Sequence, residues 1–156
     1  MPSAAYVNFG DDIPGSVQVQ DREDTVEVFA FEHEVHMPVD PRDGSLTGTR
    51  THSAVKMLKA VDKATPMLYQ FLCTGQSIEE VTINWYKIAD TGQEEIYFTH
   101  KLEGVRIVSV KPDMSNLLDP ANEKYPHLEW VEVRYQRITW TFLDGNIEAS
   151  DSWQER

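Results

Sequence analysis

The run Glu32-His33-Glu34-Val35-His36 is the densest set of groups able to bind a metal or move a proton. A helical metalloprotease site needs histidines four apart on one face, with a glutamate between them as base. Here the histidines are three apart in a stretch that reads as a strand, so they point to opposite faces and are poorly placed to share a metal. His52, His100 and His127 are isolated in sequence. The single cysteine, Cys73, excludes an intrachain disulfide and a paired-cysteine zinc site. Beside an apolar helical stripe it reads as a buried, inert thiol. The serines lack a Gly-x-Ser-x-Gly elbow, and Gly44 and Gly48 fit neither glycine-rich phosphate loop. No catalytic residue, metal site or cofactor site is expected.

One grouping suggests contact instead of catalysis. Eleven residues from Asp40 to Arg50 join two expected strands, where most hairpins use two to five. Leu46 stands in their middle, with Asp40, Arg42, Asp43 and Arg50 around it, an apolar anchor in a charged rim. An interaction arm is the preferred reading.

The elements that must position this arm are mostly strands. Tyr6–Phe9 is a short one, followed by turn chemistry at Ile13-Pro14-Gly15. A long strand is expected over Thr25–Met37, ended by Pro38, and another over Ser53–Val61. One helix is marked by Thr65 as N-cap, Pro66 at the first helical position and Gly75 past the end. Its stripe, Met67, Leu68, Phe71 and Leu72, should pack on a sheet. Strands then follow over Ile78–Ile88, Glu95–Glu103 and Val105–Val110, with a hairpin turn at Asp90–Gln93 and a bulge or tight turn at Gly104. Met114–Pro126 reads as a loop. In Leu128–Leu143 the apolar positions shift phase near Arg137, which a bulge or a change of partner sheet would produce. About seven strands and one helix without a βαβ rhythm predict a small antiparallel β-barrel, a single domain over residues 1–156.

Composition narrows the function classes. The 156 residues carry 14 basic and 26 acidic side chains, a formal charge of −12, which disfavours nucleic-acid binding. The acidic excess lies at the ends, with eight acids and one base in residues 1–34 and four acids and one base in residues 143–156. The start lacks the basic and apolar regions of a signal peptide, and no run approaches the ~20 apolar residues of a membrane span. Synthesis in the cytoplasm without membrane insertion is expected. The sequence ends three residues after Trp153, so no fused C-terminal effector domain is expected.

A family pattern runs through these segments. Val39-Asp40-Pro41, Gly44, Gly48-Thr49-Arg50-Thr51-His52, Lys59-Ala60-Val61-Asp62-Lys63-Ala64-Thr65-Pro66-Met67-Leu68-Tyr69, Val81 and Trp85-Tyr86 carry its first half. Asp119-Pro120-Ala121, Val131 to Trp140 and Asp151-Ser152-Trp153 carry the rest, and Asp62 to Pro66 is the most specific piece. The chain resembles the Hcp family, the hemolysin-coregulated tube proteins of type VI secretion systems. The resemblance implies a tail-tube-like barrel that assembles as a homohexamer and stacks into a tube inside a contractile sheath. It further implies a VgrG-like spike protein at the tip, small secreted effectors in the lumen, secretion without a signal peptide and no enzymatic activity. By the same resemblance Asp40, Arg42, Asp43, Leu46 and Arg50 inherit a role in subunit or ring contact. Ring closure and stacking both need heterologous contacts, and Ile138, Trp140 and Phe142 are expected to help supply the lateral one. A phage-type tail-tube or baseplate protein of the same fold is the alternative. A monomeric ligand-binding barrel would instead require an open apolar interior.

Overall fold

Alternation of side chains builds the wall of the protein. In strand β5 (Val55–Ala60) Val55, Met57 and Lys59 point inward, and in β8 (Leu128–Arg134) Glu129, Val131 and Val133 do the same. The computed structural model describes residues 3–153; Met1-Pro2 and the last part of the acidic C-terminal stretch lie outside it. The other elements are β1 (Ala5–Asn8), β2 (Val26–Glu32), β3 (Val35–His36), β4 (Thr51–His52), α1 (Thr65–Thr74), β6 (Ser77–Ile88), β7 (Glu94–Asp113), β9 (Arg137–Phe142) and β10 (Ile147–Ser152). Six strands pair antiparallel in the order β7-β6-β1-β2-β5-β8, and β8 returns to β7 to close a barrel. Val7, Val55, Ile83, Leu102, Val131 and Val133 fill its interior with 0% exposure, so the barrel is a packed core and not the open mouth a small ligand would need.

Strand β7 runs for 20 residues, where two strands were expected. It passes through Gly104 at φ +64, and a Cβ there would lie 2.8 Å from the Gln136 side chain. Glycine therefore permits a bend without a break. Strands β8 and β9 lie end to end along one edge of β7, from Asp113↔Leu128 to Phe98↔Phe142. At Tyr135-Gln136 this path exchanges its outer partner, β5, for β10, which accounts for the phase shift in the apolar pattern. The expected lateral role of Ile138 is corrected, because Ile138 is wholly buried in the core and Trp140 packs against it. Phe142 is exposed beside Ile147 of β10, a strand the apolar pattern did not signal.

Local chemistry corrects three further expectations. Helix α1 begins one residue earlier than a Thr65 cap would place it. Ala64 is the N-cap, without a side-chain cap, and Pro66 sits second in the helix. The Asp62 carboxylate instead accepts from the Ala64 N–H (3.0 Å), while the Thr65 hydroxyl turns inward. The other end is as expected, with Gly75 left-handed at φ 70. Leu68 and Phe71 are buried, and the helix packs against β7. Cys73, expected to be buried, is exposed, since the last turn of α1 leaves the core. The strand expected over Thr25–Met37 ends at Glu32, where Glu34 and Ser53 bond to one another instead of to the barrel ladder.

The loop between β1 and β2 is held down by a cation. The Arg22 guanidinium lies 4.1 Å from the Tyr86 ring centroid and 4.7 Å from that of Tyr6, with Glu94 at 3.6 Å. Asp11, Asp12, Asp21, Glu23 and Asp24 are exposed, so the acidic N-terminal stretch lies at the surface.

Candidate assembly arm

The eleven-residue loop proves to be the outer part of a longer ribbon. Val35 pairs with His52 and His36 with Thr51, Thr47 N–H donates to Pro38 O (3.0 Å), Val39 bridges Leu46, and Asp40 N–H donates to Ser45 O (2.7 Å). The ladder thus extends from the root almost to the tip. The tip is tied by its own acids. Asp40 accepts from Arg42 N–H (2.8 Å), and Asp43 accepts from the N–H and the hydroxyl of Ser45 (2.9 and 2.7 Å). The two bonds from Ser45 hold Asp43 below the usual carboxylate range.

Alternation then gives the arm an apolar face. Val35, Met37 and Val39 share one side of their strand, and Leu46 lies opposite Val39 on that side. All four are exposed, Leu46 at 65%. Arg42 is exposed beside the tip, with its Nε 3.5 Å from Asp40. Arg50 is placed differently. Its guanidinium grips Asp151 of β10 through Nε (2.5 Å) and Nη2 (2.8 Å) and reaches Ser152 O (2.9 Å). Of the five expected contact residues, Asp40, Arg42, Asp43 and Leu46 gather at the tip, and Arg50 anchors the root within its own chain.

The root was not legible as a unit. Buried His52 meets Asp151 through Nε2 (2.7 Å) and the Tyr135 hydroxyl through Nδ1 (2.5 Å), while His33 Nε2 meets the same hydroxyl (2.7 Å). Trp153 lies against the His52 ring, at 5.2 Å between centroids. Arg50 and its neighbours hold the Asp151 carboxyl down to about 2, and burial pushes the Tyr135 phenol up. Burial, aided by nearby His52, lowers His33. His36, on the other side of the strand, is exposed and 3.3 Å from Glu34.

Exposed apolar side chains occur at both ends of the barrel. The arm leaves where β2 ends and β5 begins. The turns at residues 61–64 and 114–127 lie at the opposite end, because Ala60 pairs with Leu128 and Leu128 with Asp113. There Val61, Met114, Leu117 and Leu118 are exposed, Leu118 at 91%. Among the described residues, no group of three or more His, Cys, Asp or Glu side chains is placed to hold a metal, and no helix is long and apolar enough to cross a membrane.

Residues 6–142 match the family model described as type VI secretion system effector, Hcp. The chain belongs to the Hcp family. It is 40% identical over 146 residues to the major exported protein of Pseudomonas aeruginosa, covering 94% of this chain and 85% of that one. A solved structure of Hcp1 from the E. coli EAEC 042 pathovar matches with TM-score 0.83 and 44% identity over 98% of this chain and 99% of the other. The secreted protein Hcp3 of Pseudomonas aeruginosa matches with TM-score 0.73 and 29% identity over 99% and 100%. In this Hcp chain the stretch that carried the resemblance most specifically, Asp62 to Pro66, frames a buried polar network. Lys59 contacts Glu129, Asp62 (3.0 Å) and Thr65 (3.3 Å), and the Thr65 hydroxyl donates to Glu129 (2.7 Å).

Proposed function

We propose that this chain is the structural subunit of a type VI secretion tube. It forms hexameric rings that stack head to tail and are expelled inside a contractile sheath, with a VgrG-like spike protein ahead and small effectors in the lumen. It is made in the cytoplasm and leaves without a signal peptide, and no step requires catalysis. The observation that carries this reading is the ribbon arm, which presents Val35, Met37, Val39 and Leu46 at one end of a barrel whose other end exposes Val61, Met114, Leu117 and Leu118. A contact between opposite ends of two copies is heterologous and does not close on itself, as a stack requires.

Light scattering coupled to size exclusion tests the ring directly. A hexameric mass is expected, and a stable monomer at micromolar concentration would overturn it. Leu46→Asp should leave circular dichroism unchanged while weakening assembly roughly tenfold or more, since burying a leucine contributes about 1.5–3 kcal/mol per contact. Unaltered assembly in that variant would remove the arm from the interface.

Charge sets a second expectation. Six chains at −12 give a ring of −72. Such rings repel at low salt and approach when screened, as the Debye length falls from ~30 Å at 0.01 M to ~3 Å at 1 M. Ring-to-ring association, followed by sedimentation across that salt range, should increase with salt. A flat response would mean that charge does not hold rings apart.

A further inference from the structure

The arm and the C-terminal strand are each weakly held on their own. Strands β3 and β4 of the arm form a two-stranded sheet separate from the eight-stranded one, and a lone hairpin is marginal in water. Strand β10 is outermost in the larger sheet and pairs with β9 along one edge. Ile147, Glu148, Ala149 and Ser150 are exposed along it, so burial contributes little to its docking. The partly covered residues of β10 are Asp151 and Ser152, and both meet the arm's root.

The placement of Asp151 ties the two elements together. It lies directly opposite Ile138, which is wholly buried, so its side chain stands on the inner side of the sheet. A carboxylate turned inward is costly unless it is paired and hydrogen-bonded. The arm supplies both. Arg50 makes a two-pronged contact through Nε (2.5 Å) and Nη2 (2.8 Å), and His52 Nε2 lies 2.7 Å from the same carboxylate. Nη2 also reaches the Ser152 carbonyl (2.9 Å). One residue on, the Trp153 N–H donates to Gln136 O (3.1 Å), and the Trp153 ring stands 5.2 Å from that of His52, which is 2% exposed. Strand β10 thus crosses the arm's root carrying an inward charge that the docked arm neutralises. Undocking the arm would remove that neutralisation. Undocking β10 would uncover His52 and take away the carboxylate that it shares with Arg50.

We propose that β10 is a strap that sets the pose of the arm: through Asp151, docking of the C-terminal strand and ordering of the arm are coupled, so the arm is presented for subunit contact only while the strap is docked. The last step rests on the assembly role proposed above, whereas the coupling does not.

Such a coupling is reciprocal, which a local brace is not. Amide hydrogen exchange of the full chain at about pH 7 reads both sides: Thr47 and Ser53 report the arm, Trp153 and the β10 amides the strap, and β6 the barrel. All chains measured carry Leu46→Asp, so that contacts between copies do not add to the arm's protection. Relative to Leu46→Asp alone, Asp151→Asn should lower Thr47 and Ser53 protection roughly tenfold, the scale of a hydrogen bond to a charged group. Arg50→Gln should lower protection of Trp153 and β10 by a similar factor, and β6 should keep its own in both. The double replacement should lose no more than either single one, because both remove the same contact. Unchanged arm protection in Asp151→Asn, unchanged strap protection in Arg50→Gln, additive losses in the double variant, or an equal loss in β6 would each overturn the strap. Assembled mass of the same replacements with Leu46 restored separates the two ideas. If exchange shows the coupling and the mass stays hexameric, the strap stands and the arm's assembly role falls; if the mass falls while exchange is unchanged, the strap falls.

Discussion

Lys59→Met is expected to cost roughly 3–5 kcal/mol of folding stability, the range for removing one partner of a buried ion pair. The ammonium is 1% exposed and Glu129 is 0% exposed, so neither charge has access to bulk water. Lys59 bonds at once to Glu129, to Asp62 (3.0 Å) and to Thr65 (3.3 Å). The Thr65 hydroxyl accepts in addition from Asp62 N–H (3.1 Å) and donates to Glu129 (2.7 Å), which uses its full capacity. Without Lys59 the Glu129 carboxylate would stand in the core with no cation, and its Oε2 already makes no hydrogen bond within the described residues. The network joins β5, the turn after it, the first turn of α1 and β8, so its loss should loosen the helix together with the barrel wall. Urea denaturation near pH 7 measures the cost. The double replacement Lys59→Met, Glu129→Leu should regain most of it, because a well-packed apolar pair removes both desolvation penalties. A loss below about 1 kcal/mol in the single variant would show that the pair is not the brace described here.

Acid should remove up to about 3 kcal/mol of stability between about pH 6.5 and pH 4 through His100 alone. This side chain is 8% exposed, and burial, with a smaller contribution from His33, lowers it to about 4. The contact geometry agrees, since the Trp85 indole N–H donates to His100 Nδ1 (2.9 Å), which must therefore be unprotonated. The rings of Phe31 and Phe98 pack at 5.1 and 5.2 Å and offer no acceptor for a second N–H. The sign follows from a folded pKa below the unfolded one. The contribution is complete above the unfolded value of about 6.5 and is lost as pH falls toward 4. Asp151, lowered to about 2, behaves in the carboxylate manner, and its contribution persists until the pH drops below about 4. The two groups therefore act in separate windows. Urea midpoints at about pH 7 and about pH 4.5 should differ strongly in the wild type and less in His100→Gln, whose amide oxygen can still accept from Trp85. Equal pH dependence in the two proteins would count against the assignment.

Much of the fold was legible because period-two alternation reports burial locally. Val55 and Met57, or Val131 and Val133, mark inward positions without reference to any partner. Gly75 ended the helix by backbone chemistry that is local as well. The errors arose where a distant partner overrode a local preference. Thr65 is a good cap, but Lys59 and Glu129 recruit its hydroxyl, and the cap position falls to Ala64. Two strands were expected around Gly104, but β8 and β9 supply one continuous edge that carries β7 through the bend. β10 went unseen because its residues, Ile147 to Ser152, are nearly all exposed and lack alternation.

The arm divides in the same way. Its length, its apolar tip at Leu46 and the alternation of Val35, Met37 and Val39 are properties of consecutive residues, and the sequence alone determined them. So too were the barrel class, the acidic charge and the family pattern from Val39 to Trp153. The role of Arg50 and the joining of His33, His52, Tyr135 and Asp151 were decided only by the tertiary structure. Arg50 and Asp151 are 101 positions apart, and Tyr135 lies 83 from His52 and 102 from His33. Such contacts depend on where β8, β9 and β10 cross the arm's root. No local propensity encodes that crossing, because closure of the whole barrel sets it.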